Sequence, residues 1–235
     1  MEHLGIIADG NRRWARARNL PTLEGHKKGL DAIEMLVSEF AKTDLKYLTF
    51  YVFSTENWGR SKDEVGYIMK LASTYILKFA EKMAKNNIRF LILGSRKNVD
   101  PKLISLMKKA EKMTENCTGL TACFCFNYGG EQEIADAAKA LVYEIHPQLG
   151  YSPTPEAIDE LFSPDNISKH LYHPEIPPCD MIVRTSGEER ISGFMLWRAA
   201  YAEFLFLKKF FPDMEPEDIK EIYKEYEKRQ RRFGK

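Results

Sequence analysis

The sequence predicts an α/β fold: a single domain over residues 1–235, with a mostly parallel central β-sheet and helices on both faces. Short β-branched and aromatic runs alternate with stretches of helical period along the whole chain, the pattern of successive βα units. The apolar runs are dense rather than alternating, as in strands buried on both sides. At 235 residues and 44% hydrophobic, the chain is long enough for one sizeable core. No linker, internal repeat or low-complexity tract divides it.

The opening apolar run, Ile6-Ile7-Ala8, passes into Asp9-Gly10-Asn11-Arg12-Arg13-Trp14. Asp-Gly-Asn is turn chemistry, because Gly and Asn tolerate backbone conformations that branched residues avoid, and 14–18 reads as helix. Residues 25–40 place Leu30, Ile33, Leu36, Val37 and Phe40 at helical spacing. Residues 47–53 are a second buried strand, ending in the polar turn Ser54-Thr55-Glu56-Asn57-Trp58-Gly59-Arg60. Ser61 and Glu64 have capping-box spacing and open a helix whose apolar stripe runs through 65–83. A third strand is expected over 88–93, closed by Gly94, then a helix with Pro101 at its first position. A fourth strand over 120–126 ends at Asn127-Tyr128-Gly129-Gly130, and 131–144 is helical. Residues 150–178 are proline-rich, with two short helices expected from Thr154 and from Asp165. A short strand at 181–183 runs into residues 184–190, a last strand covers 204–207, and 216–232 is a charged helix.

Composition excludes several classes. With 35 basic and 34 acidic residues the net charge is +1, so no global field points to nucleic acid, and any attraction for phosphate is local. No run approaches the ~20 apolar residues that a membrane-spanning helix needs. The first residues lead straight into a strand, so no signal peptide is expected. The four cysteines form no CxxC pair or disulfide pattern, and a reducing cytoplasmic setting is expected. His170 and His173 lack a third ligand and read as surface residues. The basic run 228–232 complements a helix dipole and offers a weak peripheral contact with an anionic membrane.

The chemistry gathers at strand ends. After the first strand a carboxylate, free N–H groups and two guanidiniums meet where a helix begins, a setting that suits a metal-assisted phosphate or diphosphate site. The bland alternative is an ordinary turn on a basic surface. Three further strands end in polar turns, at 54–57, 127–130 and 184–190, and a parallel sheet brings such ends to one edge, where ligands bind. Four turns at one edge favour a site.

These motifs are recognisable together. Asp9 through Trp14, Gly25-His26, Phe53 through Arg60, Arg184 through Trp197, and Tyr201-Ala202-Glu203 resemble the cis-prenyltransferases, in order and over nearly the whole chain. The resemblance implies a homodimeric α/β enzyme with a hydrophobic tunnel. With Mg²⁺ it would extend an allylic diphosphate, such as farnesyl or geranylgeranyl diphosphate, by isopentenyl diphosphate units to give Z double bonds. Carried over by motif, Asp9 is the catalytic acid and a metal ligand. Gly10, Asn11, Arg12 and Arg13 hold the allylic diphosphate, with Trp14 and His26 close by. Ser54, Thr55 and Glu56 contact substrate, and Asn57 stands at the proton-acceptor position beside Trp58 and Arg60. Arg184, Arg190, Ile191 and Ser192 match the isopentenyl diphosphate site. Glu203 matches a metal ligand from the partner subunit, and Arg232-Phe233-Gly234 a segment that reaches across the dimer, so that Arg232 and Gly234 join the substrate site.

Residue chemistry agrees with these roles. Departing diphosphate develops charge that arginines and Mg²⁺ stabilise, and the Arg fork matches phosphate oxygens in pairs. A neutral amide is hardly basic, so Asn57 is expected to orient substrate while Asp9 or a diphosphate oxygen takes the proton. The helix from Asp63 and the strand over 47–53 would wall the tunnel. Thr22 stands where many bacterial members have arginine, and Arg12 where many have glycine, so one guanidinium would compensate for another. Bulky Val52 would shorten the product and small Ala122, near the tunnel floor, would lengthen it. The rival readings are a coupling enzyme that joins two allylic diphosphates on the same fold, a non-catalytic partner subunit, and a phosphate-binding protein without chemistry.

Overall fold

The computed structural model describes residues 1–145 and 154–229. Six strands form one sheet: β1 (His3–Ile7), β2 (Tyr47–Ser54), β3 (Arg89–Leu93), β4 (Thr121–Tyr128), β5 (Met181–Arg184) and β6 (Glu203–Phe206). Every pairing is parallel and the order is β3-β4-β2-β1-β5-β6. The helices are α1 (Asn11–Ala17), α2 (Thr22–Phe40), α3 (Lys62–Lys85), α4 (Pro101–Met113), α5 (Gly130–Ile145), α6 (Pro155–Leu161), α7 (Pro164–Lys169) and α8 (Pro216–Glu227).

Local chemistry sets the boundaries. Ser61 accepts the Glu64 N–H at 3.3 Å to open α3, and Asp100 accepts the Lys102 N–H at 2.7 Å to open α4. Thr154 and Ser163 cap α6 and α7 in the same way, each followed by proline in the first turn. The polar turn after β2 winds into a 3₁₀ helix at Thr55–Gly59, because Ser54 and Asn57 form a reciprocal capping box. The last helix stops at Glu227, short of the expected 232.

Two cores flank the sheet. On one side Leu4, Ile6, Leu48, Phe50 and Phe124 pack with residues of α2, α3, α4 and α8. On the other, Ile7, Cys123, Cys125 and Ile182 lie under Phe194, Met195 and Ala199. There α5 shares the covering with irregular chain between α7 and β6, held by a fully buried ion pair. Arg198 meets Glu133 of α5 at 2.8 Å and also binds the carbonyls of Tyr172, His173 and Ile176. Glu133 takes the Tyr128 hydroxyl as well, at 2.6 Å, so the charge is satisfied on several sides, as burial demands. Cys123 and Cys125 are buried and free, packing as small apolar groups. No helix among the described residues is long and apolar enough to cross a membrane.

Candidate active site

The order β4-β2-β1-β5 makes neighbours of the four strands whose polar ends stood out in the sequence. Their C-terminal ends surround a cavity of about 910 Å³ lined by Asp9, Asn11, Ser54, Asn57, Gly129 and Arg184, among others. Register accounts for the convergence: Tyr51, Ile7 and Arg184 lie in one row across β2, β1 and β5.

Gly10 makes the first turn possible. Its φ is +106°, and a Cβ there would sit 2.8 Å from Phe210 and from the Ser186 Oγ. The Gly10 carbonyl then takes the Trp14 N–H at 2.8 Å as α1 begins. Gly25 and Gly29 of α2 let α1 approach closely: Cβ atoms there would fall 2.0 Å from the Asn11 carbonyl oxygen and 2.4 Å from its Oδ1.

Asp9 sits between two guanidiniums, Arg184 at 2.9 Å and Arg13 at 3.3 Å. Burial works to raise its carboxyl pKa, but the Arg184 hydrogen bond and both positive charges outweigh it and hold the group below its ordinary value. Arg184, only 5% exposed, also donates to the Ser192 Oγ at 2.9 Å and to the Arg190 carbonyl. Its Nε is buried without a partner among the described residues. Arg13 is further held by Glu188 at 2.7 Å, and Glu188 pairs with Arg190 at 2.6 Å. The α1 arginine and the β5 loop are thus coupled through one carboxylate.

A second polar group gathers around a buried acid. Glu64, 8% exposed, accepts from Arg60 at 3.0 Å and meets His26 at 3.1 Å, with Arg12 at 3.8 Å. Burial lowers the His26 pKa against the upward pull of Glu64. Ser54 and Asn57 bind each other's backbone N–H groups, and Thr55 donates to Glu56 at 2.7 Å. The Asn57 Oδ1 accepts the Ser54 N–H at 3.2 Å, which engages the amide in shaping the turn.

Not every expected residue faces the cavity. The Trp14 indole donates to Asp213 at 2.6 Å under the Arg18 guanidinium, and the Trp58 indole to Asn127 at 2.7 Å. Neither lines the cavity; Trp58 packs edge-on against Phe53. Arg12, Arg13, Arg190 and Ile191 stand outside the lining, Arg12, Arg13 and Arg190 tied to the acids just described and Ile191 against the second core. Glu203 begins β6, paired with Met181 at the end of the sheet opposite Asp9, so one chain does not bring these two carboxylates together. Arg232 and Gly234 lie outside the described residues. Sequence reading missed Glu64 as the hub that joins Arg12, His26 and Arg60, although it lies four residues after Arg60. It also missed Glu188 as a link, and Tyr51, whose hydroxyl donates to the carbonyls of Tyr128 and Ser192.

Beneath this polar cavity lies an apolar one of about 290 Å³, between α2, α3 and the sheet, lined by Ile33, Ile68, Ile76, Phe79, Phe124 and Phe126, among others. Ala8, Asn11, His26 and Val52 line both, so the two adjoin there. Val52 reaches the junction through a β-bulge: Tyr51 pairs with Cys125 and Phe53 with Phe126, leaving Val52 as the extra residue. Ala122 is fully buried but does not line the apolar cavity.

Among the described residues, no three His, Cys, Asp or Glu side chains are arranged to hold a metal. Asp9, with substrate oxygens, supplies the hard-oxygen set that Mg²⁺ accepts from one or two carboxylates and phosphates, so the donors fit.

Arg60 and Arg184 share the polar cavity with Asp9, and an apolar pocket adjoins it; comparison with known proteins identifies the class as a prenyltransferase. The chain is 41% identical over 236 residues to an isoprenyl transferase of Streptococcus thermophilus (strain CNRZ 1066), covering 99% of this chain and 92% of that one. It is 40% identical over 234 residues to an isoprenyl transferase of Neisseria meningitidis serogroup B, covering 100% and 89%. Residues 7–234 match the prenyltransferase family model described for undecaprenyl diphosphate synthase, and the chain belongs to that family, the cis-prenyltransferases. The fold is shared with lavandulyl diphosphate synthase from Lavandula x intermedia in complex with dimethylallyl diphosphate (TM-score 0.91, 28% identity, 100% and 98% covered). It is shared also with a probable undecaprenyl diphosphate synthase from Campylobacter jejuni (TM-score 0.79, 28% identity, 100% and 99% covered).

Proposed function

We propose that this prenyltransferase is a Mg²⁺-dependent enzyme that condenses isopentenyl diphosphate units onto an allylic prenyl diphosphate, making a Z-polyprenyl diphosphate for lipid-carrier biosynthesis. The observation that carries the reading is the junction at Ala8, Asn11, His26 and Val52, where a polar cavity that holds Arg60 and Arg184 adjoins an apolar one. That shape suits a diphosphate head with a hydrocarbon tail.

In each cycle the allylic C–O bond breaks, a C–C bond forms to the isopentenyl double bond, a proton leaves the new unit, and diphosphate departs. The N-terminus of α1, Arg13, and the His26–Arg60 pair held by Glu64 take the allylic diphosphate, with Arg12 at the rim. Arg184, Arg190 and Ser192 take the isopentenyl diphosphate, and Asp9 between them meets both head groups. Bound Mg²⁺ would neutralise charge on the departing oxygens, held by Asp9 and by Glu203 of a second copy. Asn57 shapes the turn and orients substrate, and Asp9 or a diphosphate oxygen accepts the proton. The working form is a cytoplasmic homodimer.

The test is incubation with farnesyl or geranylgeranyl diphosphate, labelled isopentenyl diphosphate and Mg²⁺, then sizing of the products. A ladder of extended chains supports the reading, and no incorporation with any allylic primer sinks it. A second reading has one observation in its favour, the TM-score of 0.91 to lavandulyl diphosphate synthase. Product from dimethylallyl diphosphate alone, with no isopentenyl diphosphate, would establish that coupling activity instead.

A further inference from the structure

The apolar cavity has a side opening. Its inner wall is hydrophobic, but Asp31 and Glu34 of α2, and Tyr75, Lys78 and Lys82 of α3, also line it while exposed to solvent. A cavity lined by exposed residues of two neighbouring helices reaches the surface between them. Across that slit runs an ion pair between the Lys82 ammonium and a Glu34 carboxylate oxygen. The spacing is helical on both sides: Asp31 and Glu34, and Tyr75, Lys78 and Lys82, each recur three or four residues apart and so project as two facing rows.

We propose that this slit is a lateral exit for a growing prenyl chain, and that the Glu34–Lys82 pair is the latch that limits product length. The inference rests on the polyprenyl-synthase reading above. A chain anchored by its diphosphate over the strand ends grows away from Val52 toward Phe79 and Lys82. While it fits among the apolar wall residues, each added unit leaves water. Beyond them it meets two charged groups that must separate and stay solvated for the chain to pass. Exposed ion pairs are weak and open readily, so the latch biases termination instead of enforcing one length. Opening it lets the tail emerge between α2 and α3, and longer products follow.

The experiment compares product ladders from the full chain, with one allylic primer, labelled isopentenyl diphosphate and Mg²⁺. Glu34→Lys and Lys82→Glu each set like charges across the slit, and each is expected to shift the main product by one or more isoprene units toward longer chains. The double variant Glu34→Lys/Lys82→Glu restores the pair with reversed polarity and is expected to restore the wild-type ladder. A purely structural role for the pair would change yield or melting temperature and leave the ladder in place. An unchanged ladder in both single variants, beside an active wild type, overturns the latch and leaves the synthase reading standing. A lengthened ladder that the double variant does not restore also overturns it. A wild type that incorporates nothing overturns both.

Discussion

Replacing Arg184 by lysine is the sharpest test of how the two proposed diphosphate sites are joined. Arg184 makes three bonds from a buried position: to Asp9 at 2.9 Å, to the Ser192 Oγ at 2.9 Å, and to the Arg190 carbonyl. Lysine brings one point charge on a flexible stem and cannot span all three. Hydrogen bonds to charged groups are worth ~1.5–3 kcal/mol each. If one such bond, ~2 kcal/mol, is lost where the isopentenyl diphosphate docks, kcat/KM for that substrate falls about 30-fold at ~1.4 kcal/mol per decade. The assay varies isopentenyl diphosphate at saturating allylic substrate, then the reverse. A loss concentrated on isopentenyl diphosphate is expected, with a smaller one on the allylic partner. The pH dependence follows with a definite sign. Asp9 carries a depressed pKa despite burial because Arg184 and Arg13 favour its ionised form. Its stabilising contribution is therefore present at neutral pH and lost as pH falls below the ordinary carboxylate value of ~3.9. Arg184→Lys loosens that hold, so the acid limb of the rate profile moves to higher pH. A loss under 3-fold, or equal losses for both substrates with an unmoved acid limb, would refute the reasoning.

Three further outcomes are expected. Glu64→Gln removes the charge shared by Arg60 and His26, costing about 2 kcal/mol, and lowers the melting temperature by ~4–8 °C in differential scanning calorimetry, with a higher KM for the allylic diphosphate. Asn57→Asp keeps an acceptor for the Ser54 N–H, so the melting temperature holds, but a new charge beside substrate phosphate slows turnover at least 10-fold; unchanged rate and pH profile would end the orienting role. His3 is fully buried, and burial pushes its pKa down to about 4. Because it stays neutral when folded, stability falls as pH drops from about 6.5 to about 4, by ~3 kcal/mol at 1.36 kcal/mol per unit. Unfolding free energies from urea titrations of wild type and His3→Gln should therefore converge by that amount across this window.

The elements themselves were legible because their signals are local. The Ser61–Glu64 capping spacing, the Asp100-Pro101 start and the dense run over 47–53 all became the elements they suggested. So did the gathering of the strand ends, since parallel strands share one C-terminal edge. The site was less legible wherever a partner lies far along the chain. Trp14 looked like a substrate contact from its place beside Arg13, yet its indole turns to Asp213, 199 residues on. Trp58 likewise serves Asn127, and Glu64 gathers Arg12 and His26 from two other helices. The bulge at Val52 left no trace in a run of uniformly apolar residues.

The βα alternation, the turn chemistry at four strand ends and the family motifs can all be read along the chain, because propensity, capping and hydrophobic period act over a few residues. Which acid holds which cation, which aromatic rings face away from the cavity, and where the two cavities meet emerge only once the chain is folded. Those outcomes depend on strand order and on contacts between side chains that chain spacing does not constrain. A carboxylate such as Asp9 is defined less by its neighbours in sequence than by Arg184, which the sheet brings to 2.9 Å across 175 residues.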